Sequence, residues 1–123
     1  MRFLRPMLLS LALAACAEPK KQVNLSEAIP NLPLPPGGAF ISQEGGEEAL
    51  KLQFRSPVGR DSVAAYYRAV LARPPWHLVH DASAADGTIT LYAEQSGPPL
   101  WVIIRKSEGS TGSYVDIAGA KSR

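Results

Sequence analysis

The sequence predicts an α+β domain: an antiparallel sheet of five to six strands with one main helix packed on one face, in the order ββα then ββββ. A signal segment and a proline-rich linker precede it. Three observations carry this prediction. Residues 50–55 alternate apolar and polar with a period of two, and residues 60–73 carry an apolar stripe at helical spacing. Four further short apolar runs follow, divided by turn-forming Gly, Pro, Asp and Ser.

The chain opens with Arg2 and Arg5 ahead of an apolar run from Pro6 to Ala17 whose only hydroxyl is Ser10, the layout of a secretory signal. At ~1.5 Å per residue a helix over this run reaches roughly 18 Å, short of the ~30 Å hydrocarbon core, so the segment is expected to be removed and not to span. The run ends Leu13-Ala14-Ala15-Cys16, and Cys16 is the single cysteine of the chain. This stretch resembles the lipobox of bacterial lipoproteins. In that family the thiol receives a diacylglyceryl group, a dedicated peptidase cuts before the cysteine, and the new amine is usually acylated. The resemblance implies that Cys16 is lipidated and becomes the first residue of the mature chain. The competing reading is an ordinary secretory signal cut after an Ala-x-Ala-like site.

Lipid chains suit this role because each buried methylene contributes ~0.8 kcal/mol, so that two or three chains hold a protein on a bilayer where one barely does. Lys20 and Lys21 follow the anchor, where each adds about 1 kcal/mol near anionic headgroups. In the enterobacterial sorting pattern an Asp directly after the cysteine retains the protein at the inner membrane. Ala17 stands there instead, which implies the outer membrane with the domain in the periplasm.

Loss of residues 1–15 takes Arg2 and Arg5 out of the 13 basic residues, leaving 11 against 11 acidic ones. The formal charge of +2 thus belongs to the targeting segment. A nucleic-acid-binding surface, which needs clustered excess Lys and Arg, is not expected. With Cys16 lipidated, no thiol remains for a disulfide, a metal or a nucleophile.

Residues 16–38 are polar and then proline-rich, ending Pro30-Asn31-Leu32-Pro33-Leu34-Pro35-Pro36-Gly37-Gly38. Prolines at this density favour extended geometry, so the stretch reads as a semi-rigid tether with a full reach of roughly 70 Å at ~3.1 Å per residue. Ser26 to Ile29 could form one helical turn, with nothing in the sequence to pin it.

The domain is expected over residues 39–119, with a short tail at 120–123. Strands are expected at Ala39–Gln43 and Ala49–Arg55, paired antiparallel through Glu44-Gly45-Gly46-Glu47, where glycine can take positive φ. In the second strand Leu50, Leu52 and Phe54 alternate with Lys51, Gln53 and Arg55. Ser56-Pro57-Val58-Gly59 breaks this pattern. A helix over Arg60–Arg73 then presents Val63, Tyr66, Tyr67, Val70 and Leu71 on one face, with Asp61 at its positive end, Arg73 at its negative end and Pro74-Pro75 as the stop. Further strands are expected at Trp76–His80, Thr88–Glu94, Leu100–Lys106 and Ser113–Ala118.

The proline-rich lead, "VAAYYRAVL" closed by "PPWHLV", and the strands after it are similar in outline to the helix-plus-sheet domains of BamC-type outer-membrane assembly lipoproteins. These are packing motifs spread over residues 33–119. The resemblance implies a non-catalytic envelope protein and transfers no binding residue.

Catalytic chemistry has little support. His77 and His80 lie three apart in an expected strand, which directs them to opposite faces and away from a shared metal. His80 and Asp81 diverge as strand neighbours, and no nucleophile turn is present. The glycine pairs at 37–38 and 45–46 lack the strand, Lys and helix of a phosphate loop. Glu94 and Asp116 are carboxylates with nothing local to bring them together. No cofactor and no metal is expected.

One feature exceeds packing. Leu100 to Ile104 is apolar on both strand faces, and one helix covers only one of them. Trp101 and Ile103, joined by Tyr92 and by Val115 or Ile117, are therefore the candidate surface for a partner, unless sheet curvature, the linker or the first hairpin buries them. The expected function is a membrane-anchored envelope module that binds or scaffolds another envelope component without turnover. The alternative is a carrier of a lipid or peptidoglycan fragment, with a groove between helix and sheet lined by Phe54, Tyr66 and Val70.

Overall fold

A computed structural model describes residues 25–46, 49–96, 98–107 and 111–120. The signal segment, Leu13 to Cys16 and the tail beyond residue 120 lie outside the described residues. The elements run α1 (Leu25–Ala28), β1 (Ala39–Gly45), β2 (Leu50–Ser56), α2 (Arg60–Leu71), β3 (His77–Ser83), β4 (Ile89–Glu94), β5 (Pro99–Lys106) and β6 (Ser113–Gly119). All six strands form one antiparallel sheet in the order β1-β2-β6-β5-β4-β3. The fold is the expected α+β arrangement.

Connectivity follows from the single crossover. Helix α2 carries the chain from β2, near one edge, to β3 at the other. The meander β3-β4-β5-β6 then returns across the sheet until β6 pairs with β2. Because the helix crosses on one side, it buries one face: Val63, Ala64, Tyr67 and Leu71 are fully enclosed in one core with Val102, Ile104 and Val115, and the helix lies nearest β5. The helix starts at Gly59 in extended geometry without a side-chain cap, while Asp61 places negative charge in the first turn. It ends two residues earlier than expected, and Arg73 lies past the end with its Nε donating to the Ala69 carbonyl at 3.2 Å. The guanidinium still satisfies an orphan carbonyl of the last turn.

In the β1–β2 turn one glycine of the pair matters. Gly45 has φ +82°, and a Cβ there would fall 1.9 Å from the Ala49 carbonyl oxygen, whereas Gly46 faces open space. Trp76, expected as the first residue of β3, instead precedes it as a buried core residue, and β3 runs three residues further, to Ser83.

The proline-rich stretch differs most from expectation. From Leu25 onward it is part of the packed fold and no spacer. Leu25, Ala28, Ile29 and Leu32 are buried in the same core as the helix and the sheet. The backbone of the Pro30–Pro36 stretch, which turns at Asn31 with φ +69° and which prolines leave without its own ladder, is held through its carbonyls. Gln95 Nε2 donates to Pro30 O at 2.9 Å, Trp76 Nε1 to Asn31 O at 3.0 Å, Tyr67 Oη to Pro33 O at 2.9 Å, and Ser56 Oγ to Pro36 O at 2.6 Å. Proline removes donors and leaves acceptors, and these four side-chain donors meet them. The single turn α1 is pinned by Leu25, Ala28 and Ile29, a tertiary cause that local pattern does not display.

Candidate recognition surface

The strand registers assign each paired side chain to the covered inner face or to the opposite, outer face. Ala118, Trp101, Tyr92 and His80 lie opposite one another across β6, β5, β4 and β3, and Asp116, Ile103 and Thr90 form the next row. The linker and the helix cover the same side of the sheet, so neither lies over these rows. Trp101 is 40 % exposed. Its ring stands 4.9 Å from that of Tyr92, tilted at 41°, and Ile103 is half-buried beside them. The structure therefore brings Tyr92, Trp101 and Ile103 together on the outer face.

Val115 and Ile117 do not join them. Both are fully buried on the inner face, and the outer-facing residues of β6 are Tyr114, Asp116 and Ala118. Parity in an isolated strand is ambiguous when both faces carry apolar side chains, and only pairing with the clearly alternating β2 decides it.

Polar groups frame the aromatic pair. Tyr92 Oη donates to Glu94 Oε2 at 3.1 Å. Partial desolvation, then this bond and the nearby Glu94 charge, hold the Tyr92 phenol above its ordinary value. Asp116, only 6 % exposed although on the open face, accepts from Gln53 Nε2 at 3.0 Å and from Arg105 Nη2 at 3.3 Å. Tyr114 sits between two guanidinium groups, Arg55 at 5.9 Å and Arg105 at 5.6 Å from its ring centre. Sequence reasoning missed this Arg-Tyr-Arg row because its members lie on three different strands.

The histidines require a correction. A bulge at Val79 shifts the register between Leu78 and His80, so His77 pairs with Glu94 and His80 with Tyr92, both of them outer-face residues. The two histidines therefore share a face. Among the described residues no group of three His, Cys, Asp or Glu side chains could hold a metal ion. Asp81, by contrast, pairs with Leu91 on the inner side and takes both Nε and Nη2 of Arg68 at 2.7 and 3.1 Å. His80 and Asp81 diverge as expected. Glu94 and Asp116 stay apart, two strands and two rows from each other, each engaged by its own donors.

At one end of the outer face an apolar groove of about 290 Å³ opens between the start of β2, the start of β5 and the end of β6. Ala49, Lys51, Pro99, Trp101, Ala118 and Ala120 line it. Between helix and sheet, where a carrier's groove is expected, the described side chains pack into the core, Val70 against its edge. Phe54 is buried there with its ring edge-on to Phe40 at 5.9 Å, while Tyr66 turns outward against Tyr67. Among the described residues no helix is long and apolar enough to cross a membrane. Compared with known proteins, the chain matches no family model, no curated protein and no solved structure.

Proposed function

We propose that this chain is a lipid-anchored envelope protein, held by a diacylglyceryl group on Cys16, whose domain binds another component of the envelope through its open sheet face and acts without turnover. The observation that carries this reading is the Tyr92–Trp101 pair. Two large aromatic rings meet, tilted against each other, on a face that neither the helix nor the linker covers, beside half-buried Ile103. Aromatic side chains on such a face are the residue type that dominates recognition energetics, because they bury much area at little entropic cost. The resemblance of Leu13-Ala14-Ala15-Cys16 to a lipobox supplies the address. The packed helix–sheet interface favours surface recognition over carriage of a small ligand. Anchoring on the same bilayer as the partner raises effective concentration, so a weak contact suffices.

The test is a photoreactive side chain at position 103 in intact cells, with and without Trp101→Ser. The expected result is a defined adduct that Trp101→Ser abolishes, while the substituted domain stays folded at a cost of no more than about 2 kcal/mol. If Trp101→Ser unfolds the domain and leaves the adducts unchanged, Trp101 is a core residue and the recognition surface is wrong. Cys16→Ser is expected to release the protein from the membrane fraction; continued membrane association at wild-type level would refute the anchor.

A further inference from the structure

The packed linker changes the geometry of anchoring. Folded structure begins by Leu25, so the chain between Cys16 and the domain is nine residue steps and not the full stretch to Gly38. Nine steps span at most about 32 Å fully extended. That is no more than the diameter of a domain of this size, whose radius of gyration is about 13 Å. The domain is held against the bilayer by whichever end carries Leu25.

That end is identified by contacts. Ile29 and Pro30 line a small cleft with Pro98, Pro99, Leu100 and Ala120, and Ile29 Cδ1 lies 3.7 Å from where a Gly119 Cβ would stand. Pro99, Gly119 and Ala120 also line the apolar groove beside Trp101 on the other side of the sheet. The start of the folded chain and the aromatic groove therefore occupy the same end of the domain, separated by one sheet thickness. The segment leading to that end carries Lys20 and Lys21 against the single acid Glu18.

We infer that the occupant of the Trp101 groove is the headgroup layer of the membrane that holds the anchor. The end bearing Pro99, Trp101 and Tyr92 lies on the bilayer surface, and the outer face continues from it away from the lipid. Three features of the site suit a bilayer interface. Trp and Tyr combine an apolar ring with a polar tip and concentrate at that depth. Pro99, Ala118 and Ala120 add apolar surface, with Glu94, opposite Pro99, as the carboxylate of this row. Lys51 at the groove rim extends its ammonium where lipid phosphates lie. The short tether makes the contact intramolecular in effect, so shallow docking persists without high intrinsic affinity. This inference rests on the Cys16 anchor proposed above and names the envelope component met at this end.

The experiment uses the lipidated protein from its native membrane, reconstituted in phosphatidylethanolamine–phosphatidylglycerol vesicles brominated near the headgroup end of the acyl chains. The chain has two tryptophans, and Trp76 is buried on the inner side. Docking is expected to quench roughly half of the tryptophan emission, and Trp101→Phe, conservative at an exposed position, is expected to remove most of that quenching. If the protein floats with the vesicles but wild type and Trp101→Phe are quenched alike, docking is overturned and the anchor stands. If the protein does not float, the anchor fails and docking fails with it. Trp101 open to aqueous quencher on vesicles but shielded in whole envelopes would assign the groove to a protein partner and overturn the inference.

Discussion

Leu32→Ala offers the sharpest test of the fold, because the proline-rich stretch is either core or spacer and the two differ by several kcal/mol. Leu32 is 2 % exposed, while Leu34, two residues on in the same extended segment, is 49 % exposed. Truncating Leu32 removes three carbons from the core, about 2.4 kcal/mol at ~0.8 kcal/mol per methylene, and incomplete collapse of the cavity raises the cost toward 5 kcal/mol. Against a total stability of about 5–15 kcal/mol this is a large fraction. At ~4–8 °C per kcal/mol the melting temperature should fall by roughly 10–40 °C. Leu34→Ala should change stability by less than about 0.5 kcal/mol, as exposed positions do. The assay is urea unfolding of a soluble chain starting at Ala17, followed by circular dichroism, with the slope checked for equality between variants. A Leu32→Ala change no larger than that of Leu34→Ala would refute the packing of the linker, and with it the short tether.

Two further outcomes follow from the same core. Tyr67→Phe removes the hydroxyl that donates to Pro33 O and should cost about 1 kcal/mol by leaving a partly buried carbonyl without its partner. Burial, and after it the neighbouring Tyr66, pushes the Tyr67 phenol well above its ordinary value near 10. The stability this contributes is complete below pH 10 and is lost as pH rises beyond it, because the unfolded chain ionises first. Unfolding midpoints measured between pH 8 and about pH 11 should therefore fall in wild type and fall less in Tyr67→Phe. Asp81→Asn weakens the two-pronged pair with Arg68, whose side chains are 40 % and 36 % exposed, so its cost should stay below about 1 kcal/mol and shrink in ~1 M salt. A larger cost that salt leaves unchanged would mean that Asp81 supports the β3 edge in some other way.

Local pattern alone determined much of this protein. The period of two in Leu50-Lys51-Leu52-Gln53-Phe54-Arg55 specified β2 and its buried face, and the spacing of Val63, Tyr67 and Leu71 specified the helix. Both signals are intrinsic to residues close in sequence, which is why the α+β class and the order ββα then ββββ were legible. The apolar character of both faces of residues 100–104 also pointed correctly to Trp101 as a residue the helix would not cover.

Pairing decided the rest. Only the register of β6 against β2 and β5 sends Val115 and Ile117 inward and places Tyr114 between Arg55 and Arg105. Only the bulge at Val79 brings His77 and His80 to one face, since an inserted residue reverses the parity that spacing implies. The linker is the clearest case. Its prolines forbid a ladder of its own, and composition alone reads that as solvent-exposed chain. Its burial depends on acceptors being met by Tyr67, Trp76, Gln95 and Ser56, donors distant in sequence that converge only once the sheet and helix have assembled.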